Sequence, residues 1–175
     1  MRFGRWSLVL LACASALSGC GYHLVGTHST LPEDVTTLYL DRFQNQTEWA
    51  DMDQRLLEAL SLEWVRRRRL TMVDSRADAD LALEGVILRV AVSPVSFDDN
   101  GRATEYQMTL STSVKLLDIR SDEPELMWQD LAFSRRTSYL VDPNAEDYFD
   151  RQFLAMDELA QAYSAALVSS VLEGF

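Results

Sequence analysis

The chain is 175 residues long, 47% hydrophobic and 10% aromatic, with 16 Lys+Arg against 27 Asp+Glu and a formal net charge of −11. This composition excludes a disordered or fibrous chain and suits one domain around one core. The acid excess argues against nucleic acid, whose phosphates need a basic surface. Two cysteines, Cys13 and Cys20, supply no disulfide framework.

Residues 1–19 have the build of a lipoprotein signal peptide that is removed. Arg2 and Arg5 make a positive start, and residues 8–17 are an apolar run too short to span a bilayer. Leu17-Ser18-Gly19-Cys20 then has the form of the bacterial lipobox, where a signal peptidase cuts before a diacylated cysteine. The expectation is a Cys20 carrying diacylglycerol and an N-acyl chain, held stably because several chains anchor it. Gly21 rather than Asp follows Cys20, which favours the outer membrane. No other cofactor is expected. Residues 20–34, with Gly21, Gly26 and Pro32 and no apolar period, read as a lipidated arm, and residues 35–175 as the folded domain.

Residues 35–43 read as a strand with Leu38 and Leu40 on one face. Asp51 is expected to open a helix, with Gln54 as its capping-box partner. Leu56, Leu60 and Trp64 set the apolar face of that helix, with Leu57 and Val65 alongside. Arg66, Arg67, Arg68 and Arg69 close it, either complementing the negative end of the helix dipole or forming an anion-binding patch. A short strand over 70–74 and a polar turn over 75–80 follow.

Residues 81–97 predict a long strand that is apolar on both faces. Val86, Leu88, Val90 and Val92 share one parity, while Leu81, Leu83, Ile87 and Ala91 share the other. Gly85 and Pro94 mark bulges or an edge. Asn100-Gly101 signals a tight hairpin turn. In the return strand Tyr106, Met108, Leu110, Val114 and Leu116 alternate with Gln107, Thr109, Ser111, Ser113 and Lys115. Residues 126–139 read as another long strand, with Trp128 and Phe133. Asn144 is expected to cap a last helix, with Glu146 and Asp147 in its first turn. Phe149, Phe153, Met156, Ala160, Tyr163, Leu167 and Val171 run down one face of it. The predicted fold class is α/β: a single two-layer domain, two helices packed on one face of a mixed sheet of about four strands, with a long β-hairpin.

Catalytic chemistry is hard to assemble from these residues. The chain offers no phosphate-binding glycine loop, no nucleophile elbow and no histidine spacing for a metal. His23 and His28 both lie in the arm beside the lipid, and Asp98 with Asp99 reads as a pair of solvated turn formers. No catalytic residue and no metal site are expected, and the protein is read as not an enzyme.

Two stretches point to a family. One is Cys20-Gly21-Tyr22-His23-Leu24 followed by Leu31-Pro32; the other is Asn100-Gly101 followed by Thr104-Glu105-Tyr106-Gln107-Met108. On these, and on the order of elements across 20–172, the chain resembles LptE, the lipopolysaccharide (LPS) assembly lipoprotein family once called rare lipoprotein B. The resemblance implies a non-catalytic plug and assembly partner of the LPS-transport β-barrel (LptD-like), sitting on its lumen or periplasmic side and helping insert LPS into the outer leaflet. It also implies contact with LPS near the hairpin tip and the start of the last helix, through basic residues. Here the tip carries Asp98 and Asp99 and the approach to the helix carries Asp142, with Arg102 the nearby base and Arg135 and Arg136 further on. The candidate contacts to barrel or LPS are therefore Phe97, Asp99, Asn100, Gly101, Arg102, Arg135 and Arg136.

The length of the hairpin fits a plug. Residues 86–97 reach about 40 Å as a strand, so Val92, Val95 and Phe97 either seek a partner or pack under the second helix. The alternative function is a free-standing outer-membrane lipoprotein that activates a peptidoglycan enzyme. That reading calls for a long spacer after Cys20, whereas about fourteen residues separate it from the first strand.

Overall fold

Three strands of 16 or 17 residues set the dimensions of the domain, and their alternating side chains decide which face meets the helices. The structure, a computed structural model, describes residues 31–142 and 148–173. Strand β1 (Thr37–Leu40) and the two-residue β2 (Gln44–Asn45) lead into helix α1 (Met52–Arg67). Strand β3 (Thr71–Val73) and a 3₁₀ turn over Arg76–Asp78 follow. Then come the long strands β4 (Leu81–Phe97), β5 (Ala103–Asp118) and β6 (Glu125–Leu140), and helix α2 (Tyr148–Glu173). The expected signal peptide, Cys20, Asn144, Glu146, Asp147 and the side chain of Phe149 lie outside the described residues.

The sheet has six strands in the order β3-β1-β4-β5-β6, with β2 pairing beside β4. It is mixed: β1 runs parallel to β3 and β4, and β4, β5 and β6 are antiparallel neighbours. Four of its strands have four residues or more, and β2 and β3 are short additions.

Both helices cover one face. Leu56, Leu60 and Trp64 of α1 and Met156, Ala160, Tyr163, Leu167 and Val171 of α2 are buried in one core with Leu83, Ile87, Leu110 and Leu116 of the sheet. Each such leucine, removed from water, contributes about 1.5–3 kcal/mol. Arg55 pairs with Asp157, and Arg67 donates to Ser169 Oγ at 2.8 Å. Both contacts join residues 102 apart, so the helices lie side by side and parallel. Within the core, Thr112 Oγ1 and Tyr163 Oη share a 2.6 Å hydrogen bond, and the Phe133 ring meets Tyr163 edge-on. Burial pushes the Tyr163 hydroxyl above its ordinary range, so it stays a neutral partner.

Several local expectations are corrected. Asp51 does sit at the start of α1, but in the left-handed region (φ 63) with no side-chain cap bond. A capping box needs an extended N-cap, and Gln54 instead donates to Glu58 Oε1 at 3.0 Å. The turn before α1 is organised by Asn45, whose Oδ1 accepts from Thr47 N at 2.9 Å. Val65 and Phe153 are exposed, at 62% and 54%, rather than part of the apolar faces. Gly85 is no bulge: a Cβ there would meet the Phe43 ring at 2.4 Å, so its lack of side chain admits that ring to the core. One bulge falls at Leu88, where Ile87 pairs with Thr112 and Arg89 with Ser111, and the irregularity expected at Pro94 is present, Pro94 pairing with Tyr106 and Ser96 with Glu105. The extra residue at Leu88 reverses the parity beyond it. Val86 therefore shares a face with Ser113, while Val90 and Val92 join Leu110 and Met108 on the helix side.

Candidate functional site: the hairpin tip and the uncovered sheet face

The tip is built by one carboxylate. Asp98 Oδ1 accepts from Asn100 N at 2.9 Å and Arg102 N at 2.8 Å, and its Oδ2 accepts from Arg102 Nε at 2.9 Å. Gly101 N donates to Asp98 O at 2.9 Å, and Asp98 N donates to Arg102 O at 2.8 Å. This closes a three-residue loop, Asp99-Asn100-Gly101, with Gly101 left-handed at φ 75. The expected tight Asn-Gly turn needs positive φ at both residues, and Asn100 does not have it. The backbone hydrogen bond from Arg102, with the guanidinium beside it, holds the Asp98 carboxyl below its ordinary range. Arg102 is thus committed to its own loop, while Phe97 stands 60% exposed at the end of β4.

The uncovered face follows from register. Residues opposite one another in adjacent strands share a face, and Thr112, bonded to Tyr163, marks the helix side. Ser111 and Ser113 therefore point away from the helices. Two neighbouring rows on that side read Arg89-Ser111-Ser134 and Ala91-Thr109-Arg136, and the next reads Ser93-Gln107-Ser138. Toward the other end Glu84 and Lys115 pair at 2.8 Å, with Arg76 on the second oxygen of Glu84 at 2.7 Å. Burial pushes Glu84 up, but these two cations outweigh it and hold the group below its ordinary value. A shallow cleft of about 310 Å³ lies there, lined by Asp41, Arg42, Glu84, Lys115 and Leu131 among others.

The predicted site residues fall into separate places. Phe97, Asp99, Asn100, Gly101 and Arg102 form one group at the tip. Arg135 and Arg136 lie roughly 23 Å away by strand rise, and on opposite faces. Arg135 pairs with Leu110 on the helix side and lies over the Phe133 ring at 4.8 Å, whereas Arg136 pairs with Thr109 on the uncovered side. Arg89 was not singled out from sequence; the bulge at Leu88 is what turns it outward.

Two arginines at the end of α1 serve the fold. Arg67 Nε donates to Glu63 Oε1 at 2.7 Å, and Arg69 donates to the carbonyls of Val35 and Pro32 at 3.1 and 2.9 Å. Leu31 and Val35 are buried here, so the last residues of the arm pack onto the body. Among the described residues, no cluster of three His, Cys, Asp or Glu could hold a metal ion. No helix among them is long and apolar enough to cross a membrane.

A model of the LptE family, described as lipopolysaccharide-assembly, matches residues 35–170. Among solved structures, the hypothetical protein CT253 from Chlamydia trachomatis superposes with a TM-score of 0.56 at 13% identity, over 81% of this chain and 97% of that one. A protein described as a lipoprotein from Caulobacter crescentus CB15 gives 0.53 at 12% identity, over 77% and 87%. These two likenesses show the fold alone. Rare lipoprotein B from Shewanella oneidensis aligns at 17% identity over 79% and 92%, with a TM-score of 0.44 too low to argue from.

Proposed function

The chain belongs to the LptE family of lipopolysaccharide-assembly proteins, and from that premise we propose that it is a lipoprotein of the outer membrane that acts as plug and assembly partner of the LptD-like LPS-transport β-barrel. In this role it helps the barrel insert LPS into the outer leaflet and performs no catalytic step. The observation that carries the reading is the long uncovered face of β4, β5 and β6, whose three central rows hold Ser, Thr, Gln, Arg and one Ala. Large outer-membrane barrels have polar, wet interiors. A face of hydroxyls, one amide and two arginines can meet such a wall without stranding apolar surface.

The tip supplies the second contact. Phe97 is an exposed aromatic at the far end of a strand of 17 residues, beside the loop Asp99-Asn100-Gly101 that Asp98 and Arg102 close. Anchoring rests on Cys20: palmitate label should appear in the wild type and vanish in Cys20→Ser. The role itself is tested by affinity purification of the full chain from gently solubilised membranes. A large barrel protein should co-elute in stoichiometric amount. Recovery of the lipoprotein alone, with the barrel in other fractions, would contradict the proposal.

A further inference from the structure

Leu62 and Val65 stand on the last turns of α1 with 61% and 62% of their surface in water. At 3.6 residues per turn they share one side of the helix with Arg66, and the exposed Arg68 follows as the left-handed C-cap at φ 55. Glu63 is the acid of this turn; it is buried, and Arg67 holds it at 2.7 Å. Arg66 reaches it only at 3.4 Å, with 71% of its side chain exposed. Among the described residues the Arg68 side chain has neither an ion pair nor a hydrogen bond. One turn back the surface becomes acidic, with Glu58 exposed and the neighbouring Asp157 bound to Arg55. The end of α1 is therefore a small patch of two aliphatic and two cationic side chains on a chain of net charge −11. The helix dipole accounts for cations at this end, but not for the uncovered Leu62 and Val65.

The same end of the domain is where the chain comes in from Cys20. Leu31 is buried, and Arg69, next to Arg68, donates to the Pro32 and Val35 carbonyls. Leu31 is eleven residues beyond Cys20, a span of at most about 40 Å. Acyl chains on Cys20 thus keep the end of α1 within reach of the lipid surface. Of the acids at this root, Asp34 is tied to Arg120, which leaves Glu33 to oppose the two arginines. Attachment at a bilayer interface combines aliphatic side chains at the headgroup boundary with cations on anionic phosphates. Arginine serves both, since its stem lies along apolar surface while the guanidinium stays with the phosphate.

We propose that the end of α1 docks on the anionic phospholipid surface that holds the anchor, with Leu62 and Val65 at the headgroup boundary and Arg66 and Arg68 on lipid phosphates. The proposal rests on the lipid anchor of Cys20 and adds an orientation to it. Leu81 at the start of β4 pairs with Leu38 at this end, so the hairpin tip, at the far end of β4, points away from the docked surface.

The test uses the full lipidated chain in vesicles of phosphatidylcholine, with or without phosphatidylglycerol. An environment-sensitive fluorophore is attached through Leu62→Cys and, in a second preparation, through Asp99→Cys at the tip. With phosphatidylglycerol the probe at 62 should shift to the blue and be quenched by lipid spin-labelled near its headgroup, while the probe at 99 stays in water. Arg66→Gln/Arg68→Gln should lower the ratio of docked to undocked probe about tenfold or more. Its melting temperature should be unchanged, because both side chains are exposed. Arg66→Lys/Arg68→Lys should keep the docking, since the surface reads charge. Equal signals at 62 with and without phosphatidylglycerol, or in wild type and the glutamine variant, would overturn the proposal. Shielding of position 62 in the purified barrel complex but not on vesicles would give the patch to the barrel and overturn it as well. Wild type that fails to float with either vesicle refutes the anchor, and the docking with it. Wild type that floats while position 62 stays in water refutes the docking alone.

Discussion

The two faces of one sheet are held to different standards. On the helix side Leu110 and Met108 are fully buried, and the one buried polar residue of β5, Thr112, is satisfied by Tyr163. On the other side Thr109, Ser111 and Ser113 are the immediate chain neighbours of those residues, yet they face outward without a covering layer. Stability is concentrated on one face, which leaves the other free to be chosen for contact. A strand with a period of two can serve both purposes at once.

Truncation at neighbouring positions of one strand carries the largest expected effect. Leu110→Ala should cost about 2–5 kcal/mol through lost burial and a cavity, while Thr109→Ala, one residue away, should stay within about 0.5 kcal/mol. Denaturant unfolding of the pair measures the contrast, and similar losses would show that both faces carry the fold. Next comes the buried polar pin. Tyr163→Phe leaves Thr112 with only its 3.3 Å bond to the Phe133 carbonyl, at a cost of about 1–3 kcal/mol. Adding Thr112→Val should return part of that loss, because both members of the pair are then apolar.

At the tip, Gly101 meets nothing within 4 Å of an added Cβ, so Gly101→Val is strained by its positive φ alone. The cost should be about 1–2 kcal/mol, seen as a lowered melting temperature in a protein that still folds. The smallest effect belongs to Arg102→Glu. It exchanges an exposed ion pair for an exposed repulsion beside Asp98, and thermal melting should fall by less than for Gly101→Val.

A pH series sharpens the same contrast from the charged rim. Asp80 accepts from Thr36 N at 2.8 Å and Thr37 N at 2.9 Å, and these bonds hold its carboxyl below the ordinary range. Asp118 is lowered first by its hydrogen bonds from Arg120, which also reaches Asp34. A carboxylate with a depressed folded pKa stabilises above the unfolded value of about 3.9 and loses that contribution as pH falls through the folded value. Melting temperature should therefore hold from pH 7 to about pH 5 and then decline. In Asp80→Asn the deficit against wild type should be full at neutral pH and shrink in acid; a deficit constant with pH would contradict this account.

Much of the fold was legible because β5 alternates without interruption. Its two sets of residues fall on the two faces as their hydrophobicity predicts, and the limits of β4 follow from Asp80 and the Asp98-Asp99-Asn100-Gly101 turn. What failed was whatever one inserted residue controls. Leu88 looks like any apolar strand residue, yet as a bulge it flips Val90 and Val92 inward and Arg89 outward. Long-range partners were equally hidden: nothing local shows that Asp80 staples the start of β1 or that Glu63 is buried under Arg67. The candidate site suffered for the same reason. Arg135 and Arg136 are neighbours in sequence, but adjacent strand residues point to opposite faces.

Photo-crosslinking from two positions in living cells puts the division of labour to its most direct test. One probe replaces Ser111 on the uncovered face, and the other replaces Gln161, exposed on the outer side of α2. The account predicts strong adducts with LPS or the barrel from position 111 and weaker ones from 161. Adducts from 161 with position 111 silent would contradict it.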